Sequence, residues 1–264
     1  MLLSSCRLFY PLKNNYCTEE PRPFGEREPP FYYGSEGTLS PEGKILAFVY
    51  HGNQWGTDTV GLFLCDLETE EYRPIYTGLP GQIVIVSTPD FSPDGQWIFF
   101  SMGAQIWKIK VNGDSLTQLP FSGRNFYPRW SPDGRKIAFH IAIGDSAGIW
   151  VINADGTQRR VGRWGWNFSD WSPDGEHLIF VDWEGNYPVI AEADTTGNSY
   201  RILLRARQLD IFQIEGLDYS PDGTKIVFVA FRPGEESMVW VMNADGTDPV
   251  DLAVGRDASW TWDG

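Results

Sequence analysis

The sequence predicts an all-β chain, a single six-bladed β-propeller of four-stranded blades over residues 1–264, and three observations predict it. First, Ser-Pro-Asp-Gly stands at residues 92–95, 131–134, 172–175 and 220–223, with Ser40-Pro41-Glu42-Gly43 a near copy and Thr261-Trp262-Asp263-Gly264 a degraded one. Second, successive copies start about 44 residues apart, the length of a four-stranded blade. Third, the stretch after each turn repeats. Leu46, Ile98, Ile137, Leu178 or Ile226 comes three positions after the glycine, and Phe48, Phe100, Phe139, Phe180 or Phe228 comes five after it. Apolar positions of period two directly after a tight turn describe a β-strand.

Each unit then reads in order. Strand a closes on a large apolar residue, namely Leu39, Phe91, Trp130, Trp171, Tyr219 or Trp260. Proline presets φ at the second turn position, Asp suits the third, and Gly supplies the left-handed residue that returns the chain. Strand b carries the phenylalanine. After a variable loop comes strand c, as in Leu62-Phe63-Leu64, Ile106-Trp107, Ile149-Trp150-Val151-Ile152 and Val239-Trp240-Val241-Met242. Two of these run into Asn-Ala-Asp-Gly-Thr at residues 153–157 and 243–247, a hairpin signal before strand d.

Five full units fill residues 40–260, and the remainder is about one blade long. The expectation is a closing blade shared by the termini, because a shared blade removes open sheet edges. In it residues 257–260 form strand a, residues 1–5 a clipped strand b, residues 6–12 strand c and residues 16–18 strand d. This unit is the weakest, because Ser5 stands where phenylalanine is expected. Beyond its strand d, Pro21, Pro23, Pro29 and Pro30 make the chain a loop rather than strand. The alternative is that residues 1–30 form a tail.

Composition agrees with a packed fold and narrows the partners. The chain is 42% hydrophobic with 12 Trp, 11 Tyr and 16 Phe, enough for a core. A net charge of −14 disfavours nucleic acid and anionic membrane surfaces, leaving protein, peptide or polar small-molecule partners. No apolar run is long enough to span a membrane. Three cysteines form no motif, and Cys65, next to Leu62-Phe63-Leu64, reads as a buried free thiol. Leu3-Ser4-Ser5-Cys6 has the form of a lipoprotein lipobox. Only five residues precede Cys6, however, where a signal peptide needs a basic segment and a stretch of roughly 7–15 apolar residues. The compartment and the oligomeric state stay open.

The repeats resemble those of the TolB propeller family, whose units read Trp-Ser-Pro-Asp-Gly, an apolar strand with phenylalanine, and a hydrophobic strand ending Asn-Ala-Asp-Gly-Thr. The resemblance covers residues 39–264 and is most specific at residues 130–139, 149–157, 171–180, 219–228 and 239–247. It implies a propeller without chemistry of its own that binds a partner protein, and it is the only ground for an extracytoplasmic location. Similar repeats accompany hydrolase domains in prolyl-oligopeptidase relatives and occur in oligogalacturonate lyases, so the repeat alone does not settle function.

Several constellations hold residue types suited to chemistry. Gly144-Asp145-Ser146-Ala147-Gly148 fits the G-x-S-x-G string, but a nucleophile elbow needs a helix behind it and here a strand comes directly after. His51, His140 and His177 fall at different repeat positions, which argues against a shared metal, so neither a metal nor any other cofactor is expected. Asp90, Asp170 and Asp218 occupy one repeat site two residues before the turn serine, and Arg129 takes that place in a fourth unit. Strand a is innermost, so these four are candidates to line the central channel, either gripping a cation or basic segment or making local hydrogen bonds.

Aromatic residues also crowd the b–c and d–a loops, which share one face of the ring. Trp55, Phe126, Tyr127, Trp164, Trp166 and Trp183 stand there with Tyr50, His51, Phe168 and Phe212, and Arg163 lies among them with Arg124 and Arg232. Loops on a rigid scaffold are where binding resides, and Trp, Tyr and Arg dominate interface energetics. The expectation is a non-catalytic scaffold that binds a protein or peptide through this face. The alternative is a carbohydrate-binding or lyase-like propeller.

Overall fold

The computed structural model describes residues 2–4, 37–51, 60–78, 86–142, 144–153, 157–162, 169–255 and 258–260. Among them, five antiparallel sheets each hold four strands in sequence order. Blade 1 comprises β2 (Gly37–Leu39), β3 (Ile45–His51), β4 (Val60–Asp66) and β5 (Tyr72–Thr77). Blade 2 comprises β6 (Val86–Phe91), β7 (Trp97–Met102), β8 (Gln105–Lys110) and β9 (Thr117–Gln118). Blade 3 is β10 (Asn125–Trp130), β11 (Lys136–Ile141), β12 (Gly148–Asn153) and β13 (Gln158–Gly162). Blade 4 is β14 (Ser169–Trp171), β15 (His177–Glu184), β16 (Tyr187–Asp194) and β17 (Tyr200–Arg205). Blade 5 is β18 (Gln213–Tyr219), β19 (Lys225–Phe231), β20 (Met238–Asn243) and β21 (Val250–Val254).

The turn chemistry acts as the motif implies. In all four Ser-Pro-Asp-Gly copies the serine hydroxyl donates to the aspartate at 2.5–2.6 Å. The same hydroxyl accepts the N–H of the first residue of strand b at 2.8–2.9 Å. Each glycine has φ between +66° and +70°, where a side chain would be strained. These turns also touch around the ring. A Cβ on Gly134, Gly175 or Gly223 would meet Pro93, Pro132 or Pro173 of the preceding blade at 3.5–3.7 Å.

Between blades the core is a series of sealed sheet-on-sheet interfaces. The phenylalanine of strand b faces the preceding blade: Phe100 packs with Ala47, Val49 and Leu62 of blade 1. Phe139 packs with Phe99 and Ile106 of blade 2, and its ring stacks on Phe121 at 4.4 Å. Phe180 joins Ile149 and Val151, and Phe228 joins Ile179 and Ile190. All five phenylalanines are essentially buried.

The six-bladed expectation is corrected here: the described residues form five four-stranded blades, not six. The only further sheet among the described residues is a pairing of β1 (Leu2–Ser4) with β22 (Ala258–Trp260). That pairing holds the expected strand a of the closing unit against its strand b, three residues deep. Strand b of the other blades is six to eight residues long and carries the core phenylalanine. In the N-terminal copy Ser5 takes that place, so the sequence lacks the side chain that welds a blade to its predecessor. The expected strands at residues 6–12 and 16–18 lie outside the described residues, as do Cys6 and Cys17. Cys65 is a buried free thiol in β4, and burial pushes its pKa up.

Two substitutions test the interfaces. Phe139→Ala should lose about 3–5 kcal/mol in urea unfolding, the usual range for emptying a fully buried aromatic site. Gly162→Ala should lose about 1–3 kcal/mol by overpacking, because its Cβ would fall 2.7 Å from the Phe180 ring of the next blade.

Candidate binding face and inner carboxylate ring

The inner strands meet at the repeat site that holds Asp90, Arg129, Asp170 and Asp218. Each aspartate reaches sideways to the next strand a. Asp90 accepts the N–H of Trp130 at 2.7 Å, Asp170 that of Tyr219 at 2.9 Å, and Asp218 that of Trp260 at 2.7 Å. Where blade 3 has Arg129, the backbone carbonyl is the acceptor instead of a carboxylate: the Trp171 indole donates to it at 3.2 Å. The Trp260 indole adds a similar bond to the Asp218 carbonyl. The Arg129 guanidinium lies 3.6 Å from Asp90.

The structure therefore brings the four residues together, as inter-blade ties. Desolvation dominates the titration of the three aspartates. Burial pushes Asp90 up to about 6 against the opposing pull of Arg129. It also raises Asp170, and it raises Asp218 well above the ordinary carboxylate range, with the Asp170 charge adding to the effect. The turn aspartates behave oppositely: the Ser220 hydroxyl and Thr224 hold Asp222 down to about 2, and Asp94, Asp133 and Asp174 are lowered for the same reason.

A backbone feature that sequence reading missed sits beside this ring. Strand a carries a bulge two residues before the tie, with φ +50° at Thr88, +56° at Tyr127 and +57° at Gly216. A β-branched residue there is a genuine outlier. In blades 2 and 3 the bulge is braced, since Ser101 accepts the Tyr127 N–H at 3.1 Å and its hydroxyl meets that of Thr88 at 3.2 Å. Glycine at 216 was the available signal, but nothing in Thr88 or Tyr127 announces it.

On the b–c and d–a loop face, Trp55, Arg163, Trp164 and Trp166 lie outside the described residues. Phe126 and Tyr127 are half-buried neighbours 6.2 Å apart, with the Arg124 guanidinium over Phe126. Trp183 is exposed. It sits near the tip of a hairpin whose strands β15 and β16 run eight residues each, longer than their counterparts in the other blades, so the tip projects. Trp183 pairs with Pro188 and Glu184 with Tyr187 around a turn at Gly185, where φ is +65°. Exposed Tyr187 lies 5.2 Å from the Arg207 guanidinium, and Arg205 pairs with Glu184 at 3.0 Å. Exposed Phe212 stands on the next d–a loop against Phe231. The structure thus adds Tyr187, Arg205 and Arg207 to the aromatic and basic set.

The opposite face, built by the a–b and c–d turns, has an open cavity of about 690 Å³ between blades 4 and 5 lined by Asp174, His177, Glu192, Arg201, Tyr219 and Asp222 among others. Glu192 is buried, ion-paired with Arg201 and bonded to the Tyr219 hydroxyl at 2.9 Å. Ser172, Asp174 and His177 gather the residue types of a hydrolase triad. Yet the Ser172 hydroxyl donates to Asp174 and accepts the His177 backbone N–H, which is turn geometry. At Ser146 the carbonyl accepts from the Trp150 indole, and β12 comes next with no helix. His140 is buried in β11, and desolvation pushes it down to about 4. Among the described residues no three His, Cys, Asp or Glu gather as metal ligands, and no helix is long and apolar enough to cross a membrane.

The family described as the TolB beta propeller domain matches residues 35–263. The chain is 28% identical over 202 residues to a Bacillus subtilis protein named uncharacterized peptidase YuxL, covering 67% of this chain and 29% of that one. Among solved structures, TolB from Acinetobacter baumannii superposes with a TM-score of 0.67 at 23% identity, covering 85% of this chain and 56% of that chain. An oligogalacturonate lyase in complex with manganese gives 0.62 at 19% identity, covering 83% and 64%. The chain spans less than a third of the peptidase-named relative. At these identities the two structural likenesses establish the fold.

The carboxylate ring predicts a pH response. Folding raises the Asp218 pKa, so the native state binds a proton that the unfolded chain gives up near pH 4, and stability falls as pH climbs from about 4 through the folded value. Asp218→Asn keeps an acceptor for Trp260 and cannot ionise, so its melting temperature should drop less than wild type between pH 5 and 8. Asp218→Ala, which orphans the Trp260 N–H, should lose about 1–3 kcal/mol at both pH values.

Proposed function

The chain belongs to the TolB beta propeller domain family, and from that membership we propose a non-catalytic binding module that takes a protein or peptide partner on its b–c and d–a loop face. The observation that carries this reading is the projecting blade 4 hairpin, with Trp183 and Tyr187 exposed beside Arg205 and Arg207 and with Phe212 exposed on the next loop. Exposed Trp, Tyr and Arg on a stiff hairpin cost little ordering entropy on docking, and these residue types carry most hot-spot energy. Phe126 and Arg124 extend the same face toward blade 3, and the mouth of the ring of Asp90, Arg129, Asp170 and Asp218 completes the proposed surface. The charge of −14 favours a partner with basic character.

The non-catalytic reading is supported by where the candidate nucleophiles spend their hydrogen bonds. Ser172 is committed to its turn, and Ser146 precedes a strand. Carbohydrate binding draws on the same exposed rings, and a glycan array decides it: retention of any glycan that Trp183→Ala abolishes would replace the protein-partner reading.

Affinity capture from native extract should recover a defined protein with the wild-type chain and lose it at least tenfold with Trp183→Ala/Tyr187→Ala, while the melting temperature stays within a degree or two, as expected of exposed residues. Equal recovery by both forms would move the partner site away from this face. A large fall in melting temperature would mark the two rings as structural.

A further inference from the structure

Strand d of a blade normally gives its apolar side chain to the next blade. Ile75, Val161 and Leu204 are 8%, 8% and 5% exposed, each sealed in the interface with the blade after it. Blade 5 breaks the rule. Its outer strand β21 reads Val250-Asp251-Leu252-Ala253-Val254, with Val250, Leu252 and Val254 50%, 46% and 60% exposed. The inner half of the same blade is covered, since Val227, Val229 and Val239 pack under Ala258 and Trp260. Among the described residues, β22 of the short β1–β22 pair thus covers the inner strands while the apolar side chains of the outer one stay exposed.

Outer strands also present an unpaired backbone edge, and proteins protect such edges with proline, basic residues or brevity. The other four blades do this: β5 contains Arg73 and Pro74, β9 is two residues long, β13 contains Arg159 and Arg160, and β17 contains Arg201 and Arg205. Strand β21 has neither proline nor a basic residue, and its one charge is Asp251. Acids bracket it as well. Asp245 and Asp248 lie in the turn that leads into it, the latter bonded to Asn243. At the far end the Gly255 N–H donates to the Ser237 carbonyl, which places Glu235 and Glu236 beside the strand end.

We infer that β21 is a strand-accepting edge, at which an extended segment of a partner protein, its apolar residues interspersed with lysine or arginine, adds to blade 5 as a fifth strand. Main-chain hydrogen bonds would supply the pairing, as in other β-augmented complexes. The partner's apolar side chains cover Val250, Leu252 and Val254, and its cations meet Asp251 and the acids at either end. A second copy of this chain is the wrong occupant, because it would set Asp251 and its acidic flanks against their own kind on a molecule of charge −14. Apart from Glu235 and Glu236, which belong to the b–c loop of blade 5, the site lies off the loop face proposed above.

The test uses the full chain and a fluorescein-labelled peptide of alternating valine and lysine, with a valine–glutamate peptide as the matched control. Anisotropy titration should show binding of the lysine peptide only. Leu252→Ser/Val254→Ser should weaken it at least tenfold, Asp251→Asn several-fold, and Trp183→Ala/Tyr187→Ala not at all. Single Leu252→Ser gives the same reading at smaller amplitude if the double variant melts early. Unchanged binding in the Leu252 variants, equal binding of the glutamate peptide, or a wild-type dimer in sedimentation that Leu252→Ser dissolves would each overturn the inference. Loss of peptide binding confined to Trp183→Ala/Tyr187→Ala would overturn it too, while leaving the loop-face reading intact.

Discussion

A four-stranded antiparallel sheet with two apolar faces cannot stand alone in water, and the architecture of this chain derives from that constraint. In blades 2 to 5 Phe100, Phe139, Phe180 or Phe228 points back toward the preceding blade, while small or branched residues of the neighbouring strands receive it. Because interiors are close-packed, the pairing is particular: Gly162 leaves room for the edge of Phe180, and no larger residue fits. Each sheet is stable only as a neighbour. A chain of such units must curve and stack until its ends are dealt with.

The turns and the inner aspartates serve the same constraint at a smaller scale. Ser-Pro-Asp-Gly fixes the a–b hairpin by two hydrogen bonds to one serine hydroxyl, then sets its glycine against the proline of the previous blade. Asp90, Asp170 and Asp218 tie strand a of one blade to strand a of the next through a backbone N–H. The carboxylates at the two levels experience opposite environments. Turn aspartates, solvated and bonded to hydroxyls, are held toward the charged form, whereas burial shifts the inner ones toward the protonated form. One residue type in one repeat thus performs two electrostatic tasks at positions as close in the chain as Asp90 and Asp94.

Once the scaffold is fixed, function depends on what it leaves over. Blade 4 spends extra strand length to lift Trp183 and Tyr187 clear of the ring. Blade 5 keeps Val250, Leu252 and Val254 of its outer strand exposed, where Ile75, Val161 and Leu204 of other blades are buried. Both features are departures from the repeat, and departures from a repeat are where a sequence stops serving the fold alone.

Periodicity alone determined the blade unit, its strand order, the burial of the repeated phenylalanines and the shared repeat position of Asp90, Arg129, Asp170 and Asp218, because each rests on local rules that recur at fixed spacing, while the burial of Cys65 was legible in the apolar run beside it. The number of blades was not legible in that way. Counting residues gave a sixth unit, but the N-terminal stretch supplies Ser5 where an interface needs phenylalanine, and among the described residues a three-residue β1–β22 pairing stands beside the five blades. The surface was equally hidden. Whether Phe126 is half-buried while Trp183 stands exposed, or Leu204 is sealed while Leu252 is bare, depends on which sheet lies across from each. That neighbour is about forty residues away in the chain, so no window of sequence contains both, and only the tertiary structure decides.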